Sequence, residues 1–316
     1  MSIAWKELQE FVETTGIPFY TSPQSRGVVA EDHDLSFLAA RSLAFREADV
    51  AISIGTRNNW VWQFMQAPRF PKDMKFIQVN TDREELGHNR PVDVGIVGDA
   101  KMVLQQLIQE AKEQKFPSKK NSSWIEKLSA KDTSNAKKSE PLLNSNQVPI
   151  HPMRLMKEVR DILPRDGILV VDGHETLNFA RQSIPTYDPG HRLNSGASGC
   201  MGVGLPFGIG AQAAKPDKKT IVLHGDGSFG INAINLDTAV RHNLPVVTVV
   251  NVNGGWAAGS KDVVPQTGPG WDLGFEQRYD KLGEALGTYG EYVDKPDQIR
   301  PALERAFASG KPAVLN

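Results

Sequence analysis

Thr220-Ile221-Val222-Leu223-His224-Gly225-Asp226-Gly227-Ser228, followed by Pro245-Val246-Val247-Thr248-Val249-Val250-Asn251-Val252-Asn253-Gly254-Gly255, is the stretch whose reading decides the fold. An apolar run that halts at a glycine-rich turn reads as a buried strand feeding a phosphate-binding loop. Residues 232–242 carry apolar side chains at helical spacing. Pro245 blocks further helix, and the β-branched run 246–250 reads as a second buried strand. Strand, helix and parallel strand put both loops at the carboxyl ends of their strands, where open α/β sheets bind ligands. Asp226 lies in the first loop and Asn253 in the second, 27 positions on, so neighbouring strands would bring them side by side. One charged and one neutral oxygen donor suit Mg²⁺ held beside a phosphate. A plainer reading makes Asp226 a helix cap. Gly225 and Gly227 favour the phosphate, because they let backbone N–H groups approach an anion closely. Ser228 then stands at a helix start, where its hydroxyl and N–H can reach that anion.

Outward from this unit, 316 residues suggest two domains, each large enough for its own core. The 36 basic and 37 acidic residues balance, which argues against a nucleic-acid partner and against an acidic disordered tail. Cys200 is the only cysteine, so no disulfide forms within the chain, and a reducing compartment such as the cytoplasm is expected. No apolar run approaches a membrane span, and residues 1–7 lack the apolar region of a signal peptide. Residues 313–316 read as a strand just begun, as though the chain were cut there.

The fold class expected is α/β, with two doubly wound parallel-sheet domains joined by a polar linker. Strands at 50–54, 76–79 and 94–97 alternate with helices at 36–48 and 100–112, giving a nucleotide-fold domain over 1–115. A short helix at 5–13 and a strand at 16–20 precede them. Residues 116–147 are rich in Lys, Ser and Asn and read as the linker, with at most a docked helical turn at 124–128. The second domain covers 148–316. It opens with a helix at 153–162 and a strand at 167–171 that ends at Asp172-Gly173-His174-Glu175. The glycine-dense run 194–206 and a helix at 207–214 lead to the opening unit. A Gly/Pro-rich loop over 254–270, a helix near 277–286, a strand at 291–293 and a helix at 297–308 complete it. No Gly-x-Gly-x-x-Gly opens a first strand–helix–strand unit, which disfavours a dinucleotide dehydrogenase.

Gly225-Asp226-Gly227-Ser228, Leu244-Pro245 and Asn253 together resemble the cofactor-binding motif of thiamine-diphosphate enzymes. That resemblance implies Mg²⁺ bound by Asp226, Asn253 and the Gly255 carbonyl, with Gly225, Gly227 and Ser228 around the diphosphate. The family usually has two Asn in a row and this chain has Val252 first, which leaves the ligand position at Asn253. Gly199-Cys200-Met201-Gly202-Val203-Gly204-Leu205-Pro206 resembles a second family block. It implies that the Gly199 carbonyl takes the cofactor's amino group and that Met201 wedges its two rings apart. Gly173, His174 and Glu175 fall where the family places a loop near the diphosphate, although His174 and Glu175 read equally well as surface residues. Trp256 belongs to a loop, 254–259, that lines the expected substrate entrance.

Gly55-Thr56-Arg57-Asn58-Asn59-Trp60 and His88-Asn89-Arg90-Pro91 extend the resemblance to the first domain. They look closest to oxalyl-CoA decarboxylase and 2-hydroxyacyl-CoA lyase, with acetolactate synthase also similar. In those enzymes this domain takes ADP or FAD, which makes Arg57, Asn80 and Asp99 candidate nucleotide contacts; Arg57 as a cap on the sheet edge is the alternative. The resemblance implies a lyase acting on 2-hydroxyacyl-CoA or oxalyl-CoA, or an acetolactate-synthase-like carboligase acting on 2-oxo acids, as a homodimer or tetramer in the cytoplasm (or the peroxisome of a eukaryote). The family's activating Glu sits on another domain that nothing before residue 36 supplies, so the chain is expected to be a fragment or split-gene subunit, inactive alone. A reading of another class, motivated by Val252 and that missing domain, is a non-catalytic nucleotide-binding regulatory subunit.

Overall fold

In the computed structural model, which describes residues 2–256, 273, 274 and 276–316, the apolar runs of the first half pair as a parallel sheet. Its strands are β1 (Val50–Ile54), β2 (Lys75–Asn80) and β3 (Val94–Val97), in that order, with Ala51 opposite Phe76 and Val79 opposite Ile96. Around it lie α1 (Trp5–Thr15), α2 (Arg41–Glu47) and α3 (Ala100–Glu113). Phe11 of α1 packs with Leu104 and Ile108 of α3, while Phe45 of α2 joins Trp62 and Phe70. The helix expected over 36–48 is split into a 3-10 turn at Leu38–Ala40 and α2. The strand expected at 16–20 is reduced to a single bridge between Phe19 and Ser36.

Between β1 and β2 the backbone makes a left-handed turn through Gln63, Phe64 and Met65 (φ 48°, 56° and 56°), which side chains with a Cβ adopt at a cost. Buried Arg90 holds it. Its guanidinium donates to the carbonyls of Met65 at 2.7 Å, Pro71 at 2.9 Å and Met74 at 2.8 Å. Few side chains other than Arg present so many donors in one plane.

Most of the expected linker is helical. Residues Ser123–Leu143 form α4, and the division between the two compact units, Met1–Lys138 and Ser139–Asn316, falls within it. Ile125 and Leu128 bury themselves in the first unit's core, and Asp132 Oδ1 accepts the Ala39 N–H at 2.7 Å. Two buried residues suffice to dock a helix whose other faces are wet. That sparse apolar stripe is why the composition reads as linker.

The second unit contains α5 (Pro152–Ile162), β4 (Ile168–Asp172), α6 (His174–Ser183), β5 (Arg192–Leu193) and α7 (Gly204–Ala214). β6 (Thr220–Gly225), α8 (Asp226–Asn232), α9 (Leu236–Arg241) and β7 (Val247–Asn251) follow. After them come α10 (Tyr279–Ala285), β8 (Tyr289–Glu291), α11 (Ile299–Ala308) and β9 (Ala313–Leu315). Period-two alternation sorts the central strands between two cores. Leu169, Val171, Ile221, Leu223, Val247 and Val249 face α5 and α11. Ile168, Val170, Val222 and Val250 face Leu205, Phe229 and Leu236 on the other side. Such two-sided burial is what continuous apolar strands require.

All pairings are parallel, in the order β5-β4-β6-β7-β9-β8. The chain runs from β4 outward to β5, then returns past β4 to β6. This reversal opens a crevice beyond the carboxyl ends of β4 and β6. Residues 313–316, read from sequence as a strand just begun, supply β9, which is paired on both sides by β7 and β8. Among the described residues no helix is long and apolar enough to cross a membrane.

Candidate functional site

Strand register brings three loop starts to one level: Asp172 of β4 lies opposite His224, and Gly225 of β6 lies opposite Asn251. Gly173 turns the chain out of β4 with φ +95°, and a Cβ on it would stand 3.0 Å from the Gly225 nitrogen. Only glycine lets the two loops approach this closely.

Asp226 is 2% exposed. Its Oδ1 accepts the Gly227 N–H at 2.8 Å, and its Oδ2 accepts the Gly254 N–H at 2.7 Å. The second bond ties the β6 and β7 loops together and sets Asn253 and Gly255 on either side of the residue that makes it. Burial pushes the Asp226 carboxyl up from its ordinary value, against the backbone N–H groups of Gly227 and Gly254 that favour its charge. Asn253 Oδ1 accepts the Gly255 N–H at 3.2 Å, and its Nδ2 donates to Glu175 Oε2 at 2.9 Å. Asp226 Oδ1, Asp226 Oδ2 and Asn253 Oδ1 thus each accept a backbone hydrogen bond and retain a lone pair.

The residues predicted as cofactor contacts are distributed as follows. Gly173, His174 and Glu175 start α6, with His174 exposed and Glu175 half-buried. Ser228 is buried, its hydroxyl donating to the Gly225 carbonyl at 3.0 Å and standing 3.2 Å from His224 Nδ1. That hydroxyl, expected to reach phosphate, is engaged inward. Trp256 lies across Gly227, its ring 3.0 Å from where a Cβ there would be. Residues 257–259 of the loop expected at the entrance lie outside the described residues, as does the rest of the Gly/Pro-rich loop to 270. Gly199 and Met201 are exposed ahead of α7, and Asn232 Nδ2 fixes the same run by donating to the Gly202 carbonyl at 2.6 Å.

Sequence reasoning gave no role to Asp172 or to His224. Asp172 Oδ2 accepts the Gly204 N–H at 2.7 Å, anchoring the run that carries Gly199 and Met201 to the end of β4. His224 is fully buried, its Nδ1 3.8 Å from Asp172 Oδ2, and burial pushes its imidazole down to about 3. A Cβ on Gly204 would fall 2.5 Å from His224 Cε1, so this packing tolerates glycine alone. A polar residue ending an apolar strand before glycine was the available signal for Asp172. His224, inside the apolar run itself, carried none.

In the first unit, the three candidate nucleotide contacts lie at the carboxyl ends of β1, β2 and β3. Each has a partner among the described residues. Arg57 Nε pairs with Glu85 Oε1 at 3.0 Å, Asn80 Oδ1 accepts the Asp82 N–H at 3.0 Å, and Asp99 caps α3 through Lys101 N at 2.9 Å.

Residues 173–316 match the family model described as thiamine pyrophosphate enzyme, C-terminal TPP binding domain, and residues 1–107 match the thiamine pyrophosphate enzyme central domain. A 2-hydroxyacyl-CoA lyase of Arabidopsis thaliana is 38% identical over 100% of this chain and 57% of its own length. An acetolactate synthase large subunit of Mycobacterium tuberculosis is 36% identical over 98% of this chain and 55% of its own length. An oxalyl-CoA decarboxylase of Escherichia coli is 34% identical over 100% of this chain and 56% of its own length. The chain therefore spans a little over half the length of these relatives.

Proposed function

The chain belongs to the thiamine pyrophosphate (thiamine diphosphate) enzyme family, and from that premise we propose that its β4–β6 crevice holds the cofactor's diphosphate through Mg²⁺. The observation that carries this reading is the Gly254 N–H to Asp226 Oδ2 bond, which draws both loops around one buried carboxylate. Asp226, Asn253 and the Gly255 carbonyl are then the cation's ligands from this chain. They form a hard oxygen set, suited to Mg²⁺ rather than to a thiophilic metal. The buried Thr176 hydroxyl supports the fit, since it lies 3.6 Å from where a Gly225 Cβ would be and has no hydrogen-bond partner among the described residues. Gly225, where an added Cβ would meet only the Thr176 hydroxyl, leaves the space a diphosphate needs.

When bound, thiamine diphosphate would supply a carbon nucleophile for cleaving or forming a bond next to a carbonyl. This chain's part is positional. Asp226 and Asn253 hold the diphosphate end, Asp172 fixes the run that presents Gly199 and Met201, and Trp256 screens the diphosphate loop. The whole protein we propose is a lyase acting on a 2-hydroxyacyl-CoA, as the similarity to the lyases supports. A carboligase acting on 2-oxo acids is the second reading, favoured by the 36% identity to acetolactate synthase. Met201, Phe207, Ile231 and Ile234 are exposed around the Gly199–Met201 run, which supports coverage by a further domain or a partner copy that completes the site.

Calorimetry with thiamine diphosphate and Mg²⁺ tests the cofactor reading. Saturable uptake by the wild type, lost in Asp226→Ala, is the expected result; equal uptake by both would remove Asp226 from the site. With the complementing domain present, acyl-CoA cleavage without acetolactate formation is expected, and the converse would select the carboligase.

A further inference from the structure

Glu175 is placed where a carboxylate is least expected. It stands in the first turn of α6, facing a crevice that is read as holding a diphosphate, and an acidic side chain repels phosphate. Its partner explains it: Oε2 accepts a hydrogen bond from Asn253 Nδ2 at 2.9 Å, across 78 positions of sequence. We propose that Glu175 is a positioning residue that sets which end of the Asn253 carboxamide faces the cation.

A carboxamide can be turned by 180° with almost no change in shape, so hydrogen bonds alone decide its orientation. A carboxylate accepts and never donates. Glu175 therefore takes the NH₂ end and leaves Oδ1 on the opposite side. There Oδ1 meets the Gly255 N–H at 3.2 Å, with one lone pair to spare for a metal ion. Turned the other way, Asn253 would aim two N–H groups at the cation and oppose the Gly255 N–H and the Glu175 carboxylate at once. Glu175 stands in the first turn of α6, where the helix's free N–H groups favour a negative charge. The carboxylate is thus directed at an amide of the opposite loop and not at the phosphate. It acts on the cation through Asn253.

This inference rests on the cofactor reading above, and the test separates the two. Mn²⁺, as a paramagnetic probe for Mg²⁺, is titrated into the chain with saturating thiamine diphosphate, and free Mn²⁺ is read by electron paramagnetic resonance. Wild type, Glu175→Ala and Glu175→Gln are compared. Removing the partner that orients a metal ligand weakens the ion by roughly 10–100-fold, and that loss is expected for Glu175→Ala. Glu175→Gln is expected to stay within roughly threefold of wild type, because its amide oxygen accepts the same hydrogen. Unchanged affinity in Glu175→Ala would overturn the inference. So would equal weakening in both variants, since that pattern marks the charge of Glu175, not its acceptor geometry, as the active property. Absence of Mn²⁺ uptake by the wild type would overturn the cofactor reading and this inference with it. Thermal midpoints measured without metal show whether a variant has lost its fold.

Discussion

Neutral His224 and carboxylate Asp172 face each other at 3.8 Å beneath the start of α7, both almost wholly out of water. Burial depresses the imidazole to about 3 from its ordinary 6.5, so between those values the unfolded chain binds a proton that the folded protein refuses. Stability must then fall as pH falls through that window, by about 1.4 kcal/mol per pH unit from this group alone. Asp172 and Asp226, whose carboxyls burial pushes up, act in the opposite sense and add stability as pH falls. The difference between profiles therefore isolates the histidine. Urea denaturation from pH 7 down to pH 4 is expected to show a shallower loss in His224→Gln than in wild type; parallel profiles would show that His224 titrates normally. That Asp226 and Asn253 stand on adjacent loops could be read from the sequence, because glycine-bounded apolar strands carry it. The bond between Glu175 and Asn253 could not, since it depends on two loops meeting across the sheet.

At the scale of elements, the sequence located the sheet strands other than the two-residue β5 to within a residue or two, because β-branched runs bounded by Gly and Pro have few other uses. It missed α6, whose first turn is polar and faces the crevice, so that no apolar run announces it. It also misread α4. A helix whose buried side chains are Ile125 and Leu128 alone is hard to distinguish from a polar tether until its docking surface is known. Leu128→Ala is expected to destabilise the first unit by about 2–5 kcal/mol, as for other fully buried leucines. A true linker residue would leave the denaturation midpoint unmoved. Arg90→Lys is expected to cost about 2 kcal/mol in the same measurement, because an ammonium cannot serve the carbonyls that surround the left-handed turn.

At the scale of the molecule, two parallel sheets of different size each bring loop ends to their carboxyl edges. Only the larger reverses its strand order at a point where buried carboxylates and close-packed glycines converge. Of the smaller sheet's candidate contacts, Arg57 pairs with Glu85 from the loop after β2, while Asn80 and Asp99 each accept a backbone N–H from their own loop or helix. The account therefore assigns the cofactor to one crevice. Hydrogen exchange of the backbone amides, with and without Mg²⁺ and thiamine diphosphate, tests this most directly. Slowed exchange is expected at 173–177, 202–205, 225–229 and 253–255, with no change at 55–60, 80–86 or 97–102. Protection confined to the smaller sheet, or none in the β4, β6 and β7 loops, would contradict it.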